Sequence, residues 1–237
     1  MAEFAAPLAR LRGPQFRIIA TRHPPVDFFE RHVPAALMGA LWELESQTDR
    51  RLFEQTGALA SIDPADRVSG PGASIVMAAF THIGRATRFS DGSYGVYYAG
   101  LSLQTAIRET VHHRELIARD AELRADEFGM RVWSGRVLKP LHDIRNGYDE
   151  LHDAAPRPED HPVAQAFGRR LRTAGSWGIA FRSVRHAGGY CIAALRAPAI
   201  SLPTQGAHLK YVWDGTRITE VYERGEPLVR FSSSSPA

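Results

Sequence analysis

The sequence predicts an α+β fold: mixed, mainly antiparallel sheets with flanking helices and an N-terminal helical extension. Two observations carry this. Strand-like runs stand before and after one internal amphipathic helix, and the last of them close as a hairpin around Asp214-Gly215, a strong turn signal. With 237 residues, 44% of them hydrophobic and 23% charged, the chain can bury a substantial core.

The elements follow in order. Residues 16–21 (FRIIAT) form a short β-prone run, closed by Pro24 and Pro25. From Asp27 the pattern turns helical, with Leu37, Leu41 and Leu44 on a shared stripe and Pro34 at a boundary or kink. The first sixty-odd residues could form a docking surface beside a cleft or cover the core; these leucines and Trp42 are apolar enough to pack on a neighbouring domain, so structural cover is expected. Residues 63–72 are rich in Gly, Pro and Ser and read as a loop. Residues 94–99 read as a strand, which puts Val96 and Tyr98 on the face opposite Tyr97. Ser102 suits the N-cap of a helix from Leu103 to about Ala118, with Leu103, Ala106, Ile107 and Thr110 inward and Glu109 on the flank of that stripe. Residues 130–144 alternate as a strand that Pro140 interrupts. A loop and a short amphipathic helix fill residues 158–174, residues 190–195 form a buried strand, and residues 208–222 form the hairpin. The Ser-rich tail, residues 232–237, is expected to fray.

No Gly/Ser/Pro-rich linker or internal repeat divides the chain. The expected organisation is an N-terminal extension over residues 1–65, a catalytic domain over 66–231 and the tail 232–237. Cys191, the single cysteine, excludes an intramolecular disulfide, and it reads as a small buried hydrophobe in an apolar strand. Neither a charged-then-apolar leader nor an apolar run near twenty residues is visible, so a soluble cytoplasmic protein without membrane attachment is expected. The formal charge is +3 and the sequence pI about 9.2, but basic and acidic residues are interspersed, so charge alone supports no nucleic-acid partner.

Chemistry concentrates in residues 88–110, RFSDGSYGVYYAGLSLQTAIRET, and in residues 181–191, FRSVRHAGGYC. The first places Arg88, Tyr98 and Glu109 around one strand and the helix after it, at intervals of ten and eleven positions. A permanently charged Arg suits a diphosphate, a Tyr ring can stack on nicotinamide, and a Glu can stabilise positive charge developing on a ribose. Together these roles describe cleavage of NAD at its glycosidic bond.

The same residues resemble the RES-domain proteins, NAD-acting toxins of bacterial toxin–antitoxin pairs whose fold is related to ADP-ribosyltransferases. The first family signature appears as Arg88, Phe89, Gly92, Val96, Tyr98 and Glu109. The second appears as Ser183, Val184, Arg185, His186, Ala187, Gly188 and Gly189, and SGPGAS (residues 69–74) resembles the family's Gly-rich approach. Two ordered signatures are far more specific than either alone. The chain departs from the family by carrying Ala86-Thr87 where two glycines are usual and Phe89 where Trp is usual.

The resemblance implies that Arg88 binds the diphosphate or adjacent ribose and that Tyr98 packs on the nicotinamide. Glu109 stabilises the oxocarbenium-like transition state, Ser183 hydrogen-bonds the ligand, and Arg185 is a further anion contact. It implies NAD as substrate with no metal, and a cognate antitoxin carrying a helix-turn-helix DNA-binding region. The ADP-ribose acceptor stays open between water, phosphate and a side chain of a host protein, the last making the chain an ADP-ribosyltransferase. Two rival classes are a nucleotide-binding protein without turnover and an RNA-cleaving toxin using His112, His113 or His186. The HHRE run at residues 112–115 lacks the His spacing and intervening Glu of a zinc protease. Gly188-Gly189 precedes a strand, the reverse of a dinucleotide fingerprint.

Overall fold

The computed structural model describes residues 6–23, 25–46, 56–155, 157 and 160–223; the tail at 232–237 lies outside them. The described strands are β1 (Leu8–Ala9), β2 (Pro14–Ala20), β3 (Tyr97–Gly100), β4 (Asp126–Arg136), β5 (Leu141–Asp143), β6 (Gly178–Arg182), β7 (Tyr190–Ala194), β8 (Thr204–Trp213) and β9 (Ile218–Glu223). They form one sheet in the order β1-β5-β6-β7-β3-β2-β4-β8-β9. Every pairing is antiparallel except β5 with β6, so the α+β class holds. The described α-helices are α1 (Asp27–Glu30), α2 (Ala35–Ser46), α3 (Ala73–Thr81), α4 (Leu103–Asp120) and α5 (Pro162–Thr173).

Alternation along β3 sorts side chains between two layers, as period two requires. Tyr97 and Ala99 pack with Phe28, Phe29, Met77 and Phe80 of α1 and α3, whereas Val96 and Tyr98 pack with Phe89, Phe167 and Phe181 on the α5 side. The helix α4 starts where expected: the Ser102 hydroxyl accepts from the Thr105 N–H at 3.1 Å, satisfying an amide that the helix leaves unpaired. Its apolar side covers β2, β4 and β8 through Ala106, Ile107 and Val111. The close approach of α4 to β3 needs Gly100, where a Cβ would lie 2.6 Å from the Ala106 nitrogen.

The structure adds to or alters the expected elements at these points. Residues 73–81 form the helix α3, which the sequence reading left unassigned because Ala73, Ser74, Ile75, Val76 and Met77 are all buried. A helix apolar at nearly every position carries no amphipathic stripe to recognise. In α2 the inward residues are Met38, Leu41 and Trp42, while Leu37 and Leu44 are 59% and 67% exposed, so the predicted leucine stripe is not the packing face. The N-terminal region also supplies β2, a central strand lying between β3 and β4.

Glu30 ties this region to α3. Its carboxylate accepts from the Gly72 N–H at 2.6 Å, from the Ser74 N–H at 3.1 Å and from the Ser74 hydroxyl at 2.6 Å, capping the positive end of the helix. Glu30→Ala strands these largely buried donors, so unfolding in denaturant should show a loss of about 2 kcal/mol. A loss under about 0.5 kcal/mol would mean that water replaces the carboxylate.

Candidate active site

A cleft of about 540 Å³ opens between β2, β3, the C-terminal end of α3 and the middle of α4. That volume lies within the roughly 300–1,000 Å³ of small-molecule sites. Arg88, Tyr98, Glu109 and Arg185, far apart in sequence, all line it. Ser183 stands behind Glu109 rather than in the wall.

Glu109 projects from the second turn of α4. The Ser183 hydroxyl donates to its Oε1 at 2.5 Å, and the Cys191 thiol lies 3.8 Å from the same oxygen. Among the described residues Oε2 has no hydrogen-bond partner. The Ser183 oxygen in turn accepts from the backbone N–H groups of Arg185 at 3.1 Å and His186 at 2.9 Å, so its bonding capacity is spent within the protein. Burial, then the Glu109 charge, pushes the Cys191 thiol well above its ordinary range, which keeps it protonated and a poor nucleophile.

The Tyr98 ring packs edge-on to Phe181, with centroids 6.4 Å apart. Its hydroxyl donates to Thr87 Oγ1 at 2.9 Å and accepts from the Phe89 N–H at 3.0 Å. Burial drives its pKa up to about 12, so it remains a neutral phenol. Thr87 therefore anchors the ring. Phe89 is fully buried against Phe181, behind the cleft.

Arg88 donates to the carbonyl oxygens of Leu151 at 3.2 Å and Asp153 at 2.8 Å, and Arg185 to that of Ala155 at 2.8 Å. Both guanidinium groups thus grip one segment without spending their charge on a carboxylate. Burial lowers the Arg88 pKa while Glu109, facing it, works in the opposite direction.

Sequence reasoning missed several members of the cleft wall, Arg17, Arg85 and His161 among them. Arg17 on β2 lines the cleft, donates to the Tyr98 carbonyl at 3.0 Å and lies 4.6 Å from the centre of the Tyr97 ring, while its buried Nε has no partner among the described residues. Its signal was a charged residue inside the β-prone run FRIIAT. His161 also lines the cleft, 7% exposed, with an Nδ1 that has no partner among the described residues; burial and then the Arg88 charge hold its pKa below the ordinary histidine value. No sequence signal marked it. Four arginines, Arg17, Arg85, Arg88 and Arg185, thus share the described cleft wall with a single carboxylate, Glu109. Such a wall attracts a polyanion and leaves one negative charge to meet a developing cation.

The described helices include none long and apolar enough to cross a membrane. The sequence model of the RES domain matches residues 64–214, more than half of the chain. A protein of Sinorhizobium fredii described as "Uncharacterized protein y4oC" is 27% identical over 215 residues, spanning 87% of this chain and 86% of its own. That likeness extends beyond the residues of the family match.

Proposed function

The chain belongs to the RES-domain family, a domain found in toxins of toxin–antitoxin pairs, and from that premise we propose that it is a toxin that cleaves the nicotinamide–ribose bond of NAD and passes ADP-ribose to water or phosphate. One observation carries the reading. Among the described residues Glu109 is the only carboxylate in an arginine-lined cleft, and Ser183 holds it by one oxygen so that the other is left for the ligand.

The chemistry follows from charge. Arg17, Arg88 and Arg185 hold the diphosphate, and Tyr98 packs on the nicotinamide and keeps it dry. As the bond from the anomeric carbon to nitrogen breaks, its electron pair leaves with nicotinamide and positive charge grows on the ribose. The Glu109 carboxylate stabilises that charge through Oε2. It then takes the proton of the attacking water as the water oxygen bonds to the anomeric carbon. Ser183 places the carboxylate rather than touching NAD. The chemistry calls for no metal. The catalytic unit in this reading is residues 66–231 together with β2, working in the cytoplasm. Its partner is a cognate antitoxin with a helix-turn-helix DNA-binding region that blocks the cleft.

Purified protein incubated with NAD labelled in the adenylate half is expected to release nicotinamide and labelled ADP-ribose or its phosphate ester. Neither product would leave a nucleotide-binding protein without turnover. RNA fragments from a parallel incubation would move the activity to the histidines. Adding a lysate of antitoxin-free cells tests the acceptor: label confined to small molecules supports cleavage for its own sake. A discrete labelled protein, lost in Glu109→Gln, would make the chain an ADP-ribosyltransferase.

A further inference from the structure

The helix α4 and the turn at residues 183–189 meet at the Ser183–Glu109 hydrogen bond and again one helical turn away. We propose that this second contact, between Thr105 and His186, is what fixes the position of the Glu109 carboxylate. Both are then positioning residues for NAD cleavage, an inference that rests on the function proposed above.

Thr105 precedes Glu109 by four positions, so both side chains lie on one face of α4. The Thr105 hydroxyl is 2.9 Å from His186 Nδ1, and the His186 N–H donates to Ser183 Oγ at 2.9 Å. His186 therefore touches both the seryl oxygen that holds Glu109 and the helix that carries it. Thr105 Oγ1 is also 2.8 Å from Ser102 Oγ, the N-cap of the same helix, which joins the contact to the start of α4.

Gly189 closes the arrangement. A Cβ there would lie 2.5 Å from His186 Nδ1 and 2.7 Å from Thr105 Oγ1, so a side chain at this position would pry the contact apart. Thr105 is 1% exposed, which leaves no water to replace a lost partner. Backbone bonds close the turn at its base, from the Ser183 N–H to the Gly189 carbonyl at 2.8 Å, and the Thr105–His186 contact ties its far end to α4 beside the Ser183–Glu109 bond. In the proposal, losing that tie lets the Ser183 hydroxyl shift and the carboxylate with it.

The test combines Thr105→Val, which keeps the β-branched shape, Thr105→Ser, which keeps the hydroxyl, and Gly189→Ala. Thr105→Val and Gly189→Ala are expected to lower kcat for nicotinamide release on the order of tenfold, with KM within about twofold, and Thr105→Ser to recover most of the loss. An unchanged kcat in Thr105→Val, a loss expressed in KM alone, or a Thr105→Ser protein as slow as Thr105→Val would each overturn the proposal.

A second measurement does not depend on turnover. The side-chain carboxyl ¹³C resonance of Glu109, assigned by its loss in Glu109→Gln, should move in Thr105→Val and Gly189→Ala but stay in place in Thr105→Ser. An unmoved resonance in folded Thr105→Val protein overturns the positioning role. A moved resonance in a protein whose wild type releases no nicotinamide upholds the contact and refutes the cleavage reading instead.

Discussion

Glu109→Gln is expected to fold as the wild type does and to lose NAD cleavage on the order of 10²-fold or more, the size of effect produced by removing one strong electrostatic stabiliser of a transition state. The amide keeps the volume of the side chain, and its oxygen still accepts from the Ser183 hydroxyl that holds Oε1 at 2.5 Å, so packing and placement survive. What disappears is the only negative charge among the described residues lining the cleft, leaving four arginines with nothing to oppose a cation growing on the ribose. Nicotinamide release at saturating NAD, measured beside a thermal melt, separates the two effects. Near-wild-type turnover in a well-folded variant would remove Glu109 from the chemistry.

Arg88→Lys should weaken NAD use at least several-fold in kcat/KM, although the charge is retained. The guanidinium spans two carbonyl oxygens, those of Leu151 and Asp153, with two separate nitrogens, and it does so at the wall where a diphosphate would lie. An ammonium is a point donor on a flexible stem and cannot keep both contacts while meeting a phosphate in a planar fork. Steady-state kinetics of the Lys and Ala variants decide the matter. If Lys matches Arg while Ala is inactive, a charge at this position suffices and the fork has no role.

Residues 88–110 show how much of the site was legible. Alternation in residues 94–99 placed Tyr98 opposite Tyr97, and the two do pack in different layers. The cap at Ser102 set the phase of α4, and that phase put Glu109 at the edge of the buried stripe, where it lines the cleft. Both signals act within a few residues, which is the range over which dihedral preferences, capping and side-chain periodicity operate. Ser183 was legible as a member of the second signature. Its partner was not: Glu109 is 74 positions away, and only the pairing of β7 with β3 and β6 brings the turn beside α4.

The chain by itself therefore determined the α+β class, the closing hairpin at Asp214-Gly215, the start of α4 and the order Arg88, Tyr98, Glu109, because each is written in local sequence. The tertiary structure alone decided three things: that residues 73–81 are a helix, that Arg17 on β2 joins the cleft, and that Ser183 spends its hydroxyl on Glu109. A helix apolar at nearly every position has no polar face to give it a period. A charge on a strand discloses its use only when its neighbours in the sheet are known, and a hydroxyl takes the strongest acceptor that packing brings within reach.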